Sequence, residues 1–172
     1  MLSGLAAFAR VVEAGNARVG QCVSWLYPLL VAIVVVNVAL RYVFGLGLIE
    51  FEEIQWHLYA AAFLLGFAWT YAADAHVRVD LFRDRFSSRA KAWIELLGCV
   101  LLLLPFVAVV AYHSFDFFWQ SWLLRERSDV PSGLPARYVI KFVLSASLVL
   151  LCLQSAAVAI KNALFLVGYR DR

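Results

Sequence analysis

The sequence predicts an all-α integral membrane protein of four transmembrane helices, with both termini cytoplasmic and a short amphipathic helix at the N-terminus. Three observations carry that expectation. The 172 residues are 64% hydrophobic and only 16% charged, where soluble domains carry about a quarter charged residues, and the mean hydropathy is +0.81. The charges cluster between long neutral runs, as they do when some segments lie in lipid and others in water. The cations are also unevenly divided. Arg10, Arg18, Arg78, Arg83, Arg85, Arg89, Lys91, Lys161, Arg170 and Arg172 fall on one side of the expected topology, against Arg41, Arg125, Arg127, Arg137 and Lys141 on the other. The excess marks the cytoplasmic side.

The elements follow in order. The first Arg, at position 10, lies behind the leading apolar residues rather than ahead of them, so the start does not read as a cleaved signal. Leu2, Leu5, Phe8, Ala9 and Val12 share a helical stripe that suits a membrane surface. The first span covers about 20–43, with a charge-free run over Gly20–Leu40 and Pro28 in its first half. A periplasmic loop over 44–53 leads to a second span at 54–74. A cytoplasmic loop at 75–87 holds the charged stretch that ends "HVRVDLFRDRF". The third span, 88–122, has a serine pair at 87–88 able to cap it and Pro105 able to kink it. It is longer than a hydrocarbon core of about 30 Å requires. Pro131, Gly133 and Pro135 mark a periplasmic loop at 123–135, and the fourth span runs over 136–163. The chain thus reads as a single membrane domain, 1–172. Trp25, Tyr27, Trp69, Tyr71, Trp93, Trp119 and Trp122 lie near span ends, where aromatic rings favour the headgroup level.

Few residues suggest chemistry. Cys22, Cys99 and Cys152 lie in apolar runs without CxxC spacing, which excludes a disulfide framework or zinc site. No basic tract with interleaved aromatics supports a nucleic-acid partner, and no nucleophile, phosphate-loop or metalloprotease pattern is present. His57 and His113 both fall toward the outer leaflet. As facing imidazoles they would make a four-helix cytochrome b, which is the enzyme-like alternative. Otherwise the chain calls for no cofactor, no catalytic residue and no bound metal. The span centres lack Asp, Glu, Lys and Arg, and show neither an inverted repeat nor paired broken helices, so the chain alone is a poor transporter. Asn37 and Gln154 are the polar residues at depth, each able to bond to a neighbouring helix. Ala62-xxx-Gly66 and Ala68-xxx-Ala72 offer small residues for close helix packing. Arg41 at the end of span one is expected to pair with Glu52 or Glu53 before span two. His76, Arg78 and Asp80 read as structural groups of the inner turn, with Asp80 a capping residue.

Three stretches, in order, carry a resemblance to a known family: "NVALRYVFG", "FEEIQWHLYAAAFLLGFAWTYAADAHVRVDLF" and "SDVPSGLPARYVIK". The chain resembles the small membrane subunit (DctQ-like, Q subunit) of tripartite ATP-independent periplasmic (TRAP) transporters. Arg41, Glu52, Glu53, Gly66, His76, Val77, Val79 and Asp80 fall on the family pattern. The resemblance implies a bacterial inner-membrane protein and a non-catalytic subunit of a secondary importer of organic acids. It also implies a large membrane subunit (M subunit) and a periplasmic substrate-binding protein (P subunit) as partners, besides membrane lipids. The transport residues belong to the large subunit, so none is carried over. Arg125, Glu126, Arg127 and Asp129 are the candidates for docking the periplasmic protein. The "QWHL" and "GLPARY" variants resemble a branch for 2-oxo acid, mannitol or chloroaromatic-type substrates.

Overall fold

The computed structural model describes residues 2–73 and 86–169, and these are helical with no strand among them. Helix α1 covers Leu2–Ser24, α2 Leu26–Val43, α3 Ile49–Ala72, α4 Ser88–Gly98, α5 Leu104–Leu123 and α6 Tyr138–Leu166, with a π turn at Cys99–Leu103 joining α4 to α5. Among the described residues, three stretches are long and apolar enough to cross a membrane: Leu2–Val43, Ser88–Leu123 and Tyr138–Leu166. Helix α3 has the length, at 24 residues. Its Gln55, His57 and Thr70, with the glutamates of its first turns, make it more polar than α2, α5 and α6.

The N-terminus differs from the sequence expectation. The first helix extends past residue 20, where the first span was expected to begin. One helix runs unbroken over Leu2–Ser24, and the interruption falls at Trp25. Pro28 explains the place. It has no N–H to donate to the Ser24 carbonyl, and the chain closes a tighter turn there, Trp25 N donating to Cys22 O at 3.3 Å. The stripe reads differently as well. Ala6 and Ala9 are buried, whereas Leu2, Leu5 and Phe8 face outward, because small side chains let α1 settle on α3 and α6. Gly20 makes the closest approach of this seam. A Cβ there would stand 2.4 Å from the Trp69 indole of α3.

Helix α6 is the central element, packing on α1, α3, α4 and α5. Its inward face is small and polar rather than bulky: Ser145, Ser147, Gln154, Ser155, Ala157 and Ala159 are buried. Lipid tails are as apolar as leucine, so large apolar contacts do not drive helices together there; close approach and interhelical hydrogen bonds do. Such bonds hold α6 at depth. Ser145 Oγ donates to Ser114 O of α5 at 2.9 Å, Cys99 Sγ donates to Ser155 O at 3.0 Å, and Asn16 Nδ2 of α1 donates to Gln154 Oε1 at 2.7 Å. Gln154 thus bonds across, to Asn16 and not to Asn37. Helix α2 packs on α3 and buries only Asn37. Pro105 does not break the third long helix. The π turn lies just before it, Leu104 N donating five residues back to Cys99 O, a widening that eases the proline ring past the preceding turn.

Candidate functional site

At one end of the bundle the first turns of α3 meet the 124–137 segment, and several ion pairs of the described residues stand there. Helix α2 ends in a glycine cap, with Gly45 at φ 66° and Leu46 N donating to Leu40 O at 2.9 Å. This leaves Arg41 at the rim, its Nη1 3.4 Å from Glu52 Oε1. Both side chains are more than half exposed (61% and 55%), so the pair contributes at most about 1 kcal/mol.

Glu53, one residue on, is buried, and it faces the 124–137 segment instead of Arg41. Its Oε1 accepts from Ser128 Oγ and its Oε2 accepts from Leu134 N at 2.6 Å. Those two donors favour the charged form and hold the carboxyl below its ordinary range. Gly133 completes the seat, since a Cβ there would meet Ser128 Oγ at 2.3 Å and Glu53 Oε1 at 2.8 Å. The segment also braces itself. Ser128 N donates to Leu134 O at 3.1 Å, Gly133 N to Val130 O at 2.9 Å and Arg137 N to Glu126 O at 3.0 Å. Ser128 Oγ in turn accepts from Val130 N at 3.3 Å.

The four docking candidates divide into two kinds. Glu126 accepts from Lys141 Nζ, which lowers its proton affinity, and that ammonium also sits 3.8 Å from the centre of the Phe117 ring. Asp129 pairs with Arg137 at 2.8 Å. Arg125 and Arg127 point outward, exposed. Arg125 stands at φ 47° where α5 terminates, a left-handed position usually given to glycine, with Glu126 N donating to Ser121 O at 3.0 Å across it. Ala136 at φ 67° is a second such residue. Beside this end a cleft of about 440 Å³ opens between α3, α5 and α6, walled by Trp56, Leu64, Phe117 and Leu144 with Lys141 at its rim.

The remaining candidates lie elsewhere. Gly66 has open space where a Cβ would stand, and its carbonyl accepts from Thr70 Oγ1 at 3.1 Å. His76, Arg78 and Asp80 fall outside the described residues. The haem alternative is not supported. His57 and His113 sit on α3 and α5, which each pack on α6; the His57 ring stacks on Trp56 with its Nδ1 2.7 Å from Glu53 O, and His113 is exposed. At the opposite end Glu13 pairs with Lys161 at 2.8 Å, and Tyr71 donates to Glu95 at 3.2 Å. The roles of Ser128, Gly133, Arg137 and Lys141 were not legible in advance. The only signals were a glycine between two prolines and cations just inside a helix start.

The family model for tripartite ATP-independent periplasmic transporters, DctQ component, matches residues 30–164. That range takes in α3, the 124–137 segment and nearly all of α6, and leaves out α1. No curated protein and no solved structure matches the chain.

Proposed function

This chain belongs to the DctQ component family of tripartite ATP-independent periplasmic transporters, and from that premise we propose that it is the non-catalytic small membrane subunit of a secondary importer of organic acids. In this reading it is a single membrane domain in the bacterial inner membrane. It has four spans, α3 among them, both termini in the cytoplasm, and the 44–53 and 123–135 segments in the periplasm. It braces the large transport subunit (M) and enlarges the surface on which the periplasmic capture protein (P) docks.

The observation that supports this most is where the ionisable groups stand. Among the described residues the charged side chains gather at the two ends of the bundle, while the bonds at depth run between helices, Asn16 Nδ2 to Gln154 Oε1 and Ser145 Oγ to the Ser114 carbonyl. An alternating-access site needs polar groups left available at mid-depth on broken helices. The open space at Gly66 and the nearly unburied α2 leave a side of the molecule for the large subunit. Arg41, Glu52 and Glu53 shape the outer rim, and His76, Arg78 and Asp80 structure the inner turn. Arg125, Glu126, Arg127 and Asp129 lie on the docking surface.

Reconstitution tests the proposal. Gradient-driven uptake of an organic acid should require this chain, the large subunit and the capture protein together, and this chain should co-purify with the large subunit. Uptake by this chain alone in liposomes would refute it. The 2-oxo acid, mannitol or chloroaromatic-type branch is tested by the ligand that the capture protein retains.

A further inference from the structure

From the geometry at the outer rim we infer that Glu53 is the positioning residue of the docking surface: its carboxylate fixes the 124–137 segment in the one arrangement that presents Arg125 and Arg127. This rests on the docking role proposed above and adds the group that enforces it.

Three observations converge on one side chain. Both carboxylate oxygens are used, Oε1 by the Ser128 hydroxyl and Oε2 by the Leu134 amide, so the glutamate grips the segment at two points on opposite strands of its own turn. The seat admits no larger residue than glycine at 133. The segment it grips is also strained at both ends, where Arg125 and Ala136 hold left-handed backbone. Non-glycine residues at that conformation cost energy and persist only where their surroundings over-determine them. The other side-chain ties of the segment, Glu126 to Lys141 and Asp129 to Arg137, reach only α6 and its start. Glu53 joins it to α3. A connection anchored only in the two helices it joins, here α5 and α6, can still bow between its ends; a tie to a third helix removes that freedom. Arg125 and Arg127 owe their bearing to this third attachment.

The test uses the full membrane complex in liposomes, with uptake followed against the concentration of loaded capture protein. Hydrogen bonds to a charged group are strong enough that losing them should matter by about tenfold or more. Glu53→Gln is therefore expected to raise the half-saturating capture-protein concentration about tenfold, leave the maximal rate unchanged, and speed amide exchange at Ser128 and Leu134. Gly133→Ala, which intrudes on the same seat from the other side, is expected to do the same if Glu53→Gln proves too disruptive for assembly. The inference is overturned if either variant loosens the segment by amide exchange and leaves half-saturation unmoved, or if neither loosens it. Failure of the underlying docking role looks different: the wild-type complex would respond equally to capture protein with or without charge reversal at Arg125 and Arg127.

Discussion

At the scale of single residues, the carboxylates of the outer rim make a prediction about acid. Glu53 and Glu126 both hold their protons more weakly folded than unfolded, through Ser128 with the Leu134 amide and through Lys141 respectively. The unfolded chain then binds more protons in the acid range, so the stability these groups contribute is complete above the ordinary carboxylate value of about 4.3 and is lost as pH falls through the lower folded values. Amide protection at Ser128 and Leu134 should hold from about pH 8 to about pH 5 and decline only below about 4. Protection in Glu53→Gln should be weaker and show less dependence on pH. A second expectation concerns the pair at depth. Asn16→Leu or Gln154→Leu alone strands one amide and should cost about 1–2 kcal/mol in unfolding of the detergent-solubilised protein, and the double variant should cost less than the sum. This was the scale least legible in the sequence. Arg41 and the paired glutamates were visible as neighbours across a short turn, but the partners of Glu53 lie 75 and 81 positions away, and nothing in local pattern ties residues so distant.

Among elements, hydropathy located helices well and located their joints poorly. The apolar runs of α5 and α6 show in the sequence because lipid-facing surface demands them. The beginning of the first membrane-crossing stretch does not, because a charge-free run marks where charge stops and not where a helix starts; residues 2–19 contain nothing that breaks one. Only Pro28, with its missing donor, sets the joint. The inward face of α1 was not legible for a related reason: in a membrane bundle small residues pack and large ones greet lipid, the reverse of a soluble core. Ala9, buried at 1% exposure, gives the check. Ala9→Leu should destabilise by about 1–3 kcal/mol through overpacking, while Val11→Leu, on the exposed side, should be nearly silent in the same melt. At the other end of the bundle, Ala136→Gly should relieve left-handed strain and stabilise by about 0.5–1 kcal/mol.

The whole molecule was read correctly in class: helical, membrane-embedded and a member of its transporter family. Its topology in the bilayer rests on the distribution of cations and is open to direct measurement. In a cysteine-free background, a cysteine at Asp129 should react with an impermeant maleimide from outside intact cells, and one at Ser88 only after permeabilisation. Charge reversal at Arg125 and Arg127 together should weaken uptake by the three-part system without dissociating the membrane complex, because both side chains are exposed and neither serves the bundle. Loss of co-purification with the large subunit would instead place these arginines in assembly.

The contact between Gly20 and Trp69 carries a consequence for descent. A hydrogen at position 20 is what lets an indole stand at position 69. The two sites therefore form one heritable unit, and a lineage can enlarge residue 20 only after, or together with, shrinking residue 69. Alanine at 20 beside tryptophan at 69 should be rare among descendants of this chain, and alanine beside leucine or valine permitted. A saturation library at the two positions, selected for membrane-complex assembly, should show that diagonal.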